Sequence, residues 1–157
     1  MSKFYLTTPL YYVNDKPHLG TAYTTILADV ISRYHKKMNE DVFFLTGTDE
    51  HGQKVQEAAA KRQIRPKIHV DEYVIEFKKL WEKLHIDYND FIRTTEKRHT
   101  DKVKKILQNL FDNGEIYKDK YEGMYSVSEE RFITLKEAEE GEFREVKKLV
   151  EENYFFK

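Results

Sequence analysis

"TTPLYYVNDKPHLGTAYT", residues 7–24, passes from an aromatic extended stretch through a turn into an amphipathic run, with His18 and Gly20 at the junction. Just upstream, "KFYLTTPLYY" is a short apolar and aromatic run closed by the turn residues "NDKP", which predicts a strand and then a loop. Downstream, Ala22, Ile26, Leu27, Val30, Ile31 and Tyr34 recur at three- and four-residue steps between Leu19 and Met38, one face of a helix. Next comes "DVFFLTGTDEHG", whose bare apolar run Val42–Leu45 predicts a strand covered on both faces and running into a glycine-containing loop. Strand, helix and strand in succession predict a parallel α/β unit with a right-handed crossover.

The pattern continues with a helix over 53–62, then a clear helical stripe of Val70, Tyr73, Val74, Phe77, Leu80, Trp81 and Leu84, with Trp81 in the core. Phe91–Arg93 reads as a further strand. Thr95 is placed to cap a helix carrying Val103, Ile106, Leu107, Leu110 and Phe111, which Asn113–Gly114 stops. After Gly114 the character changes to Tyr and Val among turn residues, which predicts short antiparallel strands. A boundary near 114 therefore separates residues 1–114 from 115–157. Thr134-Leu-Lys-Glu137 fits a capping box whose short helix should end by Gly141, and "REVKKLVEENYFFK" reads as a final extended segment. The Glu- and Lys-dense run Glu129–Glu152 is expected to be a solvated surface, as is the basic cluster "DKVKK" at 101–105.

Composition narrows the function classes. The 157 residues suffice for one ordinary domain with a core, and a net charge of -1 with 35% charged residues offers no general case for a nucleic-acid, membrane or acidic partner. With no cysteine there is no disulfide, thiolate metal site or thiol nucleophile. No signal peptide or membrane-length apolar run is visible, so a cytoplasmic protein is expected.

In an open parallel sheet, ligands sit at the carboxyl ends of the strands, where a helix N-terminus offers free N–H groups. A glycine there lets a nucleotide approach the backbone, and a neighbouring histidine can donate to an oxygen whose charge grows during reaction. "PHLGT" thus serves two readings, plain helix capping or a nucleotide site. The remaining histidines, His35, His69, His85 and His99, read as structural or solvated, and His51 with Gly52 as shaping a turn.

Taken together, "TTPLYYVNDKPHLGT", "FFLTGTDEHGQK", "DFIRTT", "YEGMYSVSEERF" and "EENYFF" resemble methionyl-tRNA synthetase, a class I aminoacyl-tRNA synthetase family, over essentially the whole chain. The resemblance implies the first half of a Rossmann-type nucleotide-binding domain, followed by part of a connective-peptide insertion beginning close to the 114 boundary. By position it implies that His18 and Gly20 belong to the family's His-x-Gly-His signature and contact ATP. Thr21 stands where the second histidine would be, so a hydroxyl replaces an imidazole in serving the phosphates. Leu10 and Tyr12 match positions lining the methionine pocket. Asp49 matches the carboxylate that holds the α-ammonium of methionine; its local alternative is to cap the helix that starts near His51.

The implied reaction is attack of the methionine carboxylate on the α-phosphate of ATP, assisted by Mg²⁺, and transfer of the methionyl group to tRNA(Met). The family's Lys-Met-Ser-Lys-Ser loop is absent, as are the second half-domain and the anticodon-binding domain. The chain reads as an N-terminal fragment, its partner being the remaining C-terminal part of the synthetase, and alone it is expected to be inactive. Two alternatives stand beside this reading: a non-catalytic binding module with the same fold, and a related nucleotidyltransferase acting on another small acid. Many family members carry a zinc knuckle in the insertion. Its first cysteine pair would fall at Ser126 and Glu129, so a zinc-free segment is expected, held by Tyr121, Tyr125, Phe132, Phe143 and Tyr154.

Overall fold

In the computed structural model, which describes residues 2–129, 131–140, 143 and 145–157, the strand-turn-helix reading of the opening segment holds with one division. "KFYLTTPLYY" is two strands, β1 (Lys3–Thr7) and the two-residue β2 (Tyr11–Tyr12). Pro9 has no N–H for the ladder, which breaks the run there. Helix α1 (Leu19–Lys37) follows, then β3 (Asp41–Asp49), α2 (Gln53–Lys61), α3 (Pro66–Lys83), β4 (Asp90–Arg93) and α4 (Lys97–Asp112). All three other strands pair with β3 in parallel: Thr7 lies opposite Leu45, Tyr12 opposite Asp49, and Arg93 opposite Thr48. The parallel α/β reading is therefore correct. The chain forms two compact units, residues 1–102 and 103–157, and the division falls within α4.

The stripe on α3 packs as its spacing predicts. Val70, Val74, Phe77 and Trp81 join Val13, Val55 and Phe91 in one buried cluster, and Tyr11 stacks on Phe77 with ring centroids 6.0 Å apart. Burying each such side chain contributes about 1.5–3 kcal/mol.

Helix α1 is turned the other way. Its buried residues are Thr21, Thr25, Ala28, Asp29 and Ser32, whereas Leu27, Val30 and Tyr34 of the apolar stripe are exposed, Tyr34 at 59%. Small residues and hydroxyls let the helix lie close to the sheet. Thr25 Oγ1 donates to Thr21 O at 3.0 Å and shares a 2.8 Å hydrogen bond with Tyr11 Oη. Asp29 accepts from the Asp87 N–H at 2.8 Å and from Arg33 Nε at 2.6 Å, which satisfies its carboxylate.

Thr95 does not cap α4, whose first residue is Lys97; its hydroxyl donates instead to Glu50, 45 residues away in sequence. In the second unit, β5 (Ile116–Ser126) pairs antiparallel with both β6 (Arg131–Ile133) and β7 (Val146–Phe156). The β5–β7 ladder is far longer than the short strands expected: 11 residues a side, from Ile116 opposite Phe156 to Ser126 opposite Val146. Phe132 packs edge-on against Tyr121 and Tyr125, at centroid distances of 4.5 and 5.2 Å. Tyr154 meets Phe111 at 6.1 Å, and the Arg131 guanidinium lies 5.1 Å from the Phe143 ring. At the place of the knuckle's first cysteine pair, Ser126 Oγ accepts the Glu129 N–H at 3.3 Å and lies 3.1 Å from Ser128 Oγ. That turn is closed by hydroxyl oxygen, a donor set that does not fit structural zinc.

Both arms of the capping box are present at α5 (Leu135–Glu139), while Gly141 lies outside the described residues. The Thr134 N–H, then the Arg131 guanidinium and the Thr134 hydroxyl, hold the Glu137 carboxyl down to about 2. Because this folded value lies below the ordinary 4.5, the stabilisation is fully present above the ordinary value and is lost as pH falls toward 2. A carboxyl NMR titration of Glu137 should show a midpoint near the lower figure. A midpoint near 4.5 would mean that the box does not form in solution. Among the described residues, no helix is long and apolar enough to cross a membrane.

Candidate active site

His18 ends the turn and opens α1. Its backbone is extended (φ -118°, ψ 179°), and its Nδ1 accepts the Gly20 N–H at 3.1 Å, so the imidazole is the side-chain cap of the helix. Since Nδ1 accepts, the neutral ring carries its proton on Nε2, an assignment made from the hydrogen bond. Capping and ligand contact are thus not rivals: one nitrogen closes the helix and the other remains a donor. Gly20 makes room for this. A Cβ at that position would lie 3.0 Å from His18 Cε1 and 3.2 Å from Nδ1.

Beside this turn lies a cavity of about 680 Å³, a size suited to a small ligand. Leu10, Tyr12, His18, Gly20 and Thr21 all border it, along with Tyr11 and Phe77. Thr21 is 6% exposed, and among the described residues its hydroxyl has no hydrogen-bond partner. Asn14, Asp15 and Lys16 also line the cavity, although the sequence showed them only as turn residues. Lys16 forms no ion pair among the described residues, which leaves an uncommitted cation two residues before His18.

Asp49 stands next to this cavity, not in its wall. It ends β3 directly opposite Tyr12 and is half-buried. It does not cap α2, whose N-cap is Gly52 at φ 106° with no side-chain cap. Asp49 Oδ1 takes two long hydrogen bonds, from the His51 N–H at 3.4 Å and from Thr94 Oγ1 at 3.5 Å. Both fall on the same oxygen, so among the described residues Oδ2 has no partner.

Behind Asp49 lies a buried ion pair that sequence reading missed. The Glu50 side chain is fully buried and receives Arg93 Nε at 2.5 Å and Arg93 Nη2 at 2.9 Å, a bidentate pair. Thr48 Oγ1 at 2.8 Å and the Thr95 hydroxyl donate to it as well. Arg93 Nη2 also reaches Asp71 at 2.6 Å, and Lys67 foremost, with Arg93, holds the Asp71 carboxyl below its ordinary range. Gly47 allows β3 and β4 this proximity, since a Cβ there would lie 2.0 Å from the Ile92 carbonyl oxygen. The only sequence hint was an arginine ending a short apolar strand and followed by two threonines, "DFIRTT".

His69 has the structural role expected of it. His69 is fully buried, donates Nε2–H to the Val13 carbonyl at 2.8 Å and accepts from Arg62 on Nδ1, thereby holding the segment that leads to His18. His51 Nε2 lies 3.4 Å from the Thr94 carbonyl, 43 residues away in sequence.

A strand-end carboxylate beside a histidine-capped helix lies at the carboxyl edge of a parallel sheet, where open α/β folds bind their ligands. Residues 4–142 match the family described as tRNA synthetases class I (M), and the chain belongs to that family. The methionine–tRNA ligase of Streptomyces coelicolor is 48% identical over 98% of this chain, which spans 31% of that relative. Methionine–tRNA ligase 1 of Bacillus cereus is 53% identical over 83% of the chain, spanning 20% of the relative. The Mycobacterium tuberculosis methionyl-tRNA synthetase in complex with methionyl-adenylate superposes with a TM-score of 0.91 at 36% identity, covering 99% of this chain and 32% of that one. The chain thus spans about a fifth to a third of the length of these relatives.

Proposed function

We propose that the protein to which this chain belongs activates methionine with ATP to methionyl-adenylate and passes the methionyl group to tRNA(Met). The observation that carries this reading is one cavity bordered by Leu10, Tyr12, His18, Gly20 and Thr21, with the Asp49 carboxylate beside it. Leu10 and Tyr12 contact the methionine side chain. Asp49 Oδ2 accepts the α-ammonium, an interaction that an acceptor-only anion makes well. His18, through Nε2–H, donates to phosphate oxygens as charge grows on them, and the backbone at Gly20 leaves space for the nucleotide. The Thr21 hydroxyl serves the same phosphates with a neutral donor. Methionine carboxylate oxygen bonds to the α-phosphorus as the bond to pyrophosphate breaks, with positioning and electrostatics as the protein's contributions.

Mg²⁺ would offset phosphate charge during that step. Among the described residues no three carboxylate or imidazole groups gather as a metal site; this ion usually binds through substrate phosphates, waters and one or two carboxylates. Residues 1–114 form the first half of the catalytic domain and 115–157 the start of an insertion. Activation is assigned to the full-length synthetase, the rest of which is the partner of these residues.

The test is Asp49→Ala in the full-length synthetase, assayed by methionine-dependent ATP–pyrophosphate exchange. The methionine KM should rise about ten- to hundredfold, the worth of roughly 1.5–3 kcal/mol for a hydrogen bond to a charged group, while the ATP KM changes little. A rise confined to ATP would refute the assignment.

A further inference from the structure

We infer that Thr94 is the positioning residue that aims the Asp49 carboxylate, turning Oδ2 toward the ligand. The inference rests on the reading of Asp49 as the acceptor for the α-ammonium.

A threonine hydroxyl has one proton to give. The Glu50 N–H donates to Thr94 Oγ1 at 2.8 Å, which fills an acceptor position and leaves the proton to point elsewhere. Among the described residues, the one acceptor it reaches is Asp49 Oδ1, at 3.5 Å. Thr94 itself has little freedom: it is 8% exposed, and its N–H donates to the Thr48 carbonyl at 3.2 Å. Its reference frame is rigid as well, because the Glu50 side chain is locked by Arg93, Thr48 and Thr95. The result is a relay from a buried ion pair, through a backbone N–H and one hydroxyl, to the ligand-facing carboxylate. The His51 N–H falls on the same oxygen, so both fixed donors favour one rotamer. Both bonds are long, and hydrogen bonds at a site commonly tighten when the ligand arrives. Thr94 touches no ligand. It acts by reducing the number of orientations from which Asp49 must be recruited.

The experiment compares Thr94→Val, Thr94→Ser and Asp49→Asn in the full-length synthetase, with KM and kcat for methionine and ATP and the melting temperature measured for each. Thr94→Val keeps the shape and removes the hydroxyl. It should raise the methionine KM about three- to tenfold, the worth of one ordinary hydrogen bond, with kcat and the ATP KM unchanged; because it also leaves the buried Glu50 N–H without its acceptor, the melting temperature should fall somewhat. Thr94→Ser restores the hydroxyl and should return the methionine KM close to that of the unmodified protein. If Asp49→Asn raises the methionine KM but Thr94→Val does not, Asp49 needs no aiming and the inference falls. If Thr94→Val raises the methionine and ATP KM values alike, or serine fails to restore the methionine KM, its role is structural and the inference also falls. If Asp49→Asn leaves the methionine KM unchanged, the reading of Asp49 itself fails, and this inference with it.

Discussion

His18→Ala in the full-length synthetase should lower kcat for methionine activation by about two to three orders of magnitude, with little change in the methionine KM. The magnitude follows from removing one donor aimed at developing charge, about 2.7–4 kcal/mol of transition-state stabilisation. The substitution also removes the cap on α1, because Nδ1 is the acceptor for the Gly20 N–H. Losing a cap costs only about 1 kcal/mol of stability and leaves the chemistry alone. His18→Asn separates the two effects. Its side-chain oxygen keeps a cap, so the melting temperature should stay near the original while kcat remains low. A normal kcat in His18→Ala would reduce His18 to a turn residue.

Arg93→Ala should be among the most destabilising single changes in the first unit. The Glu50 side chain is fully buried, and without the bidentate guanidinium its charge has only hydroxyl donors left. Breaking a buried pair by removing one partner costs roughly 3–5 kcal/mol. Chemical denaturation of the full-length protein would show this as a large fall in midpoint. Replacing both partners together, Glu50→Leu with Arg93→Met, should cost much less, because no uncompensated charge remains. A double variant at least as unstable as Arg93→Ala would mean that the pair's packing matters more than its charge.

These two residues also mark how far the sequence could be read. His18 was singled out because a His-x-Gly between an extended run and a helical one is a local pattern, and the structure brings Leu10, Tyr12, Gly20 and Thr21 to one cavity with it. Asp49 was singled out by the resemblance of its motif to the family's, and it lies opposite Tyr12, which borders that cavity. Glu50 and Arg93 were invisible because charged residues read as solvated until tertiary pairing is known, and their contact spans 43 residues. Thr95 was misread for the same reason: its partner is distant, and a local rule assigned it to the nearest helix. For α1 the period was legible and the buried face was not. Apolar spacing identifies residues that share a face, but Thr21, Thr25, Ala28 and Ser32 also recur at helical steps, and packing against the sheet selects between the two faces. On α3 the apolar face was the buried one, and Trp81 lies in the core as expected.

The outward stripe of α1 carries a calorimetric consequence. Leu19, Tyr23, Leu27, Val30 and Tyr34 are already hydrated in the folded chain, so unfolding this helix adds little new contact between hydrocarbon and water. The heat-capacity increment of unfolding should then fall below the usual 12–15 cal/mol/K or so per residue, since apolar hydration supplies its positive part. The stability curve of the chain flattens accordingly: less is gained near its maximum, and less is lost toward low temperature. Any surface that covers the stripe returns the missing increment as a negative heat-capacity change of association. The temperature dependence of stability is therefore a gauge of how much of that helix is in contact with water.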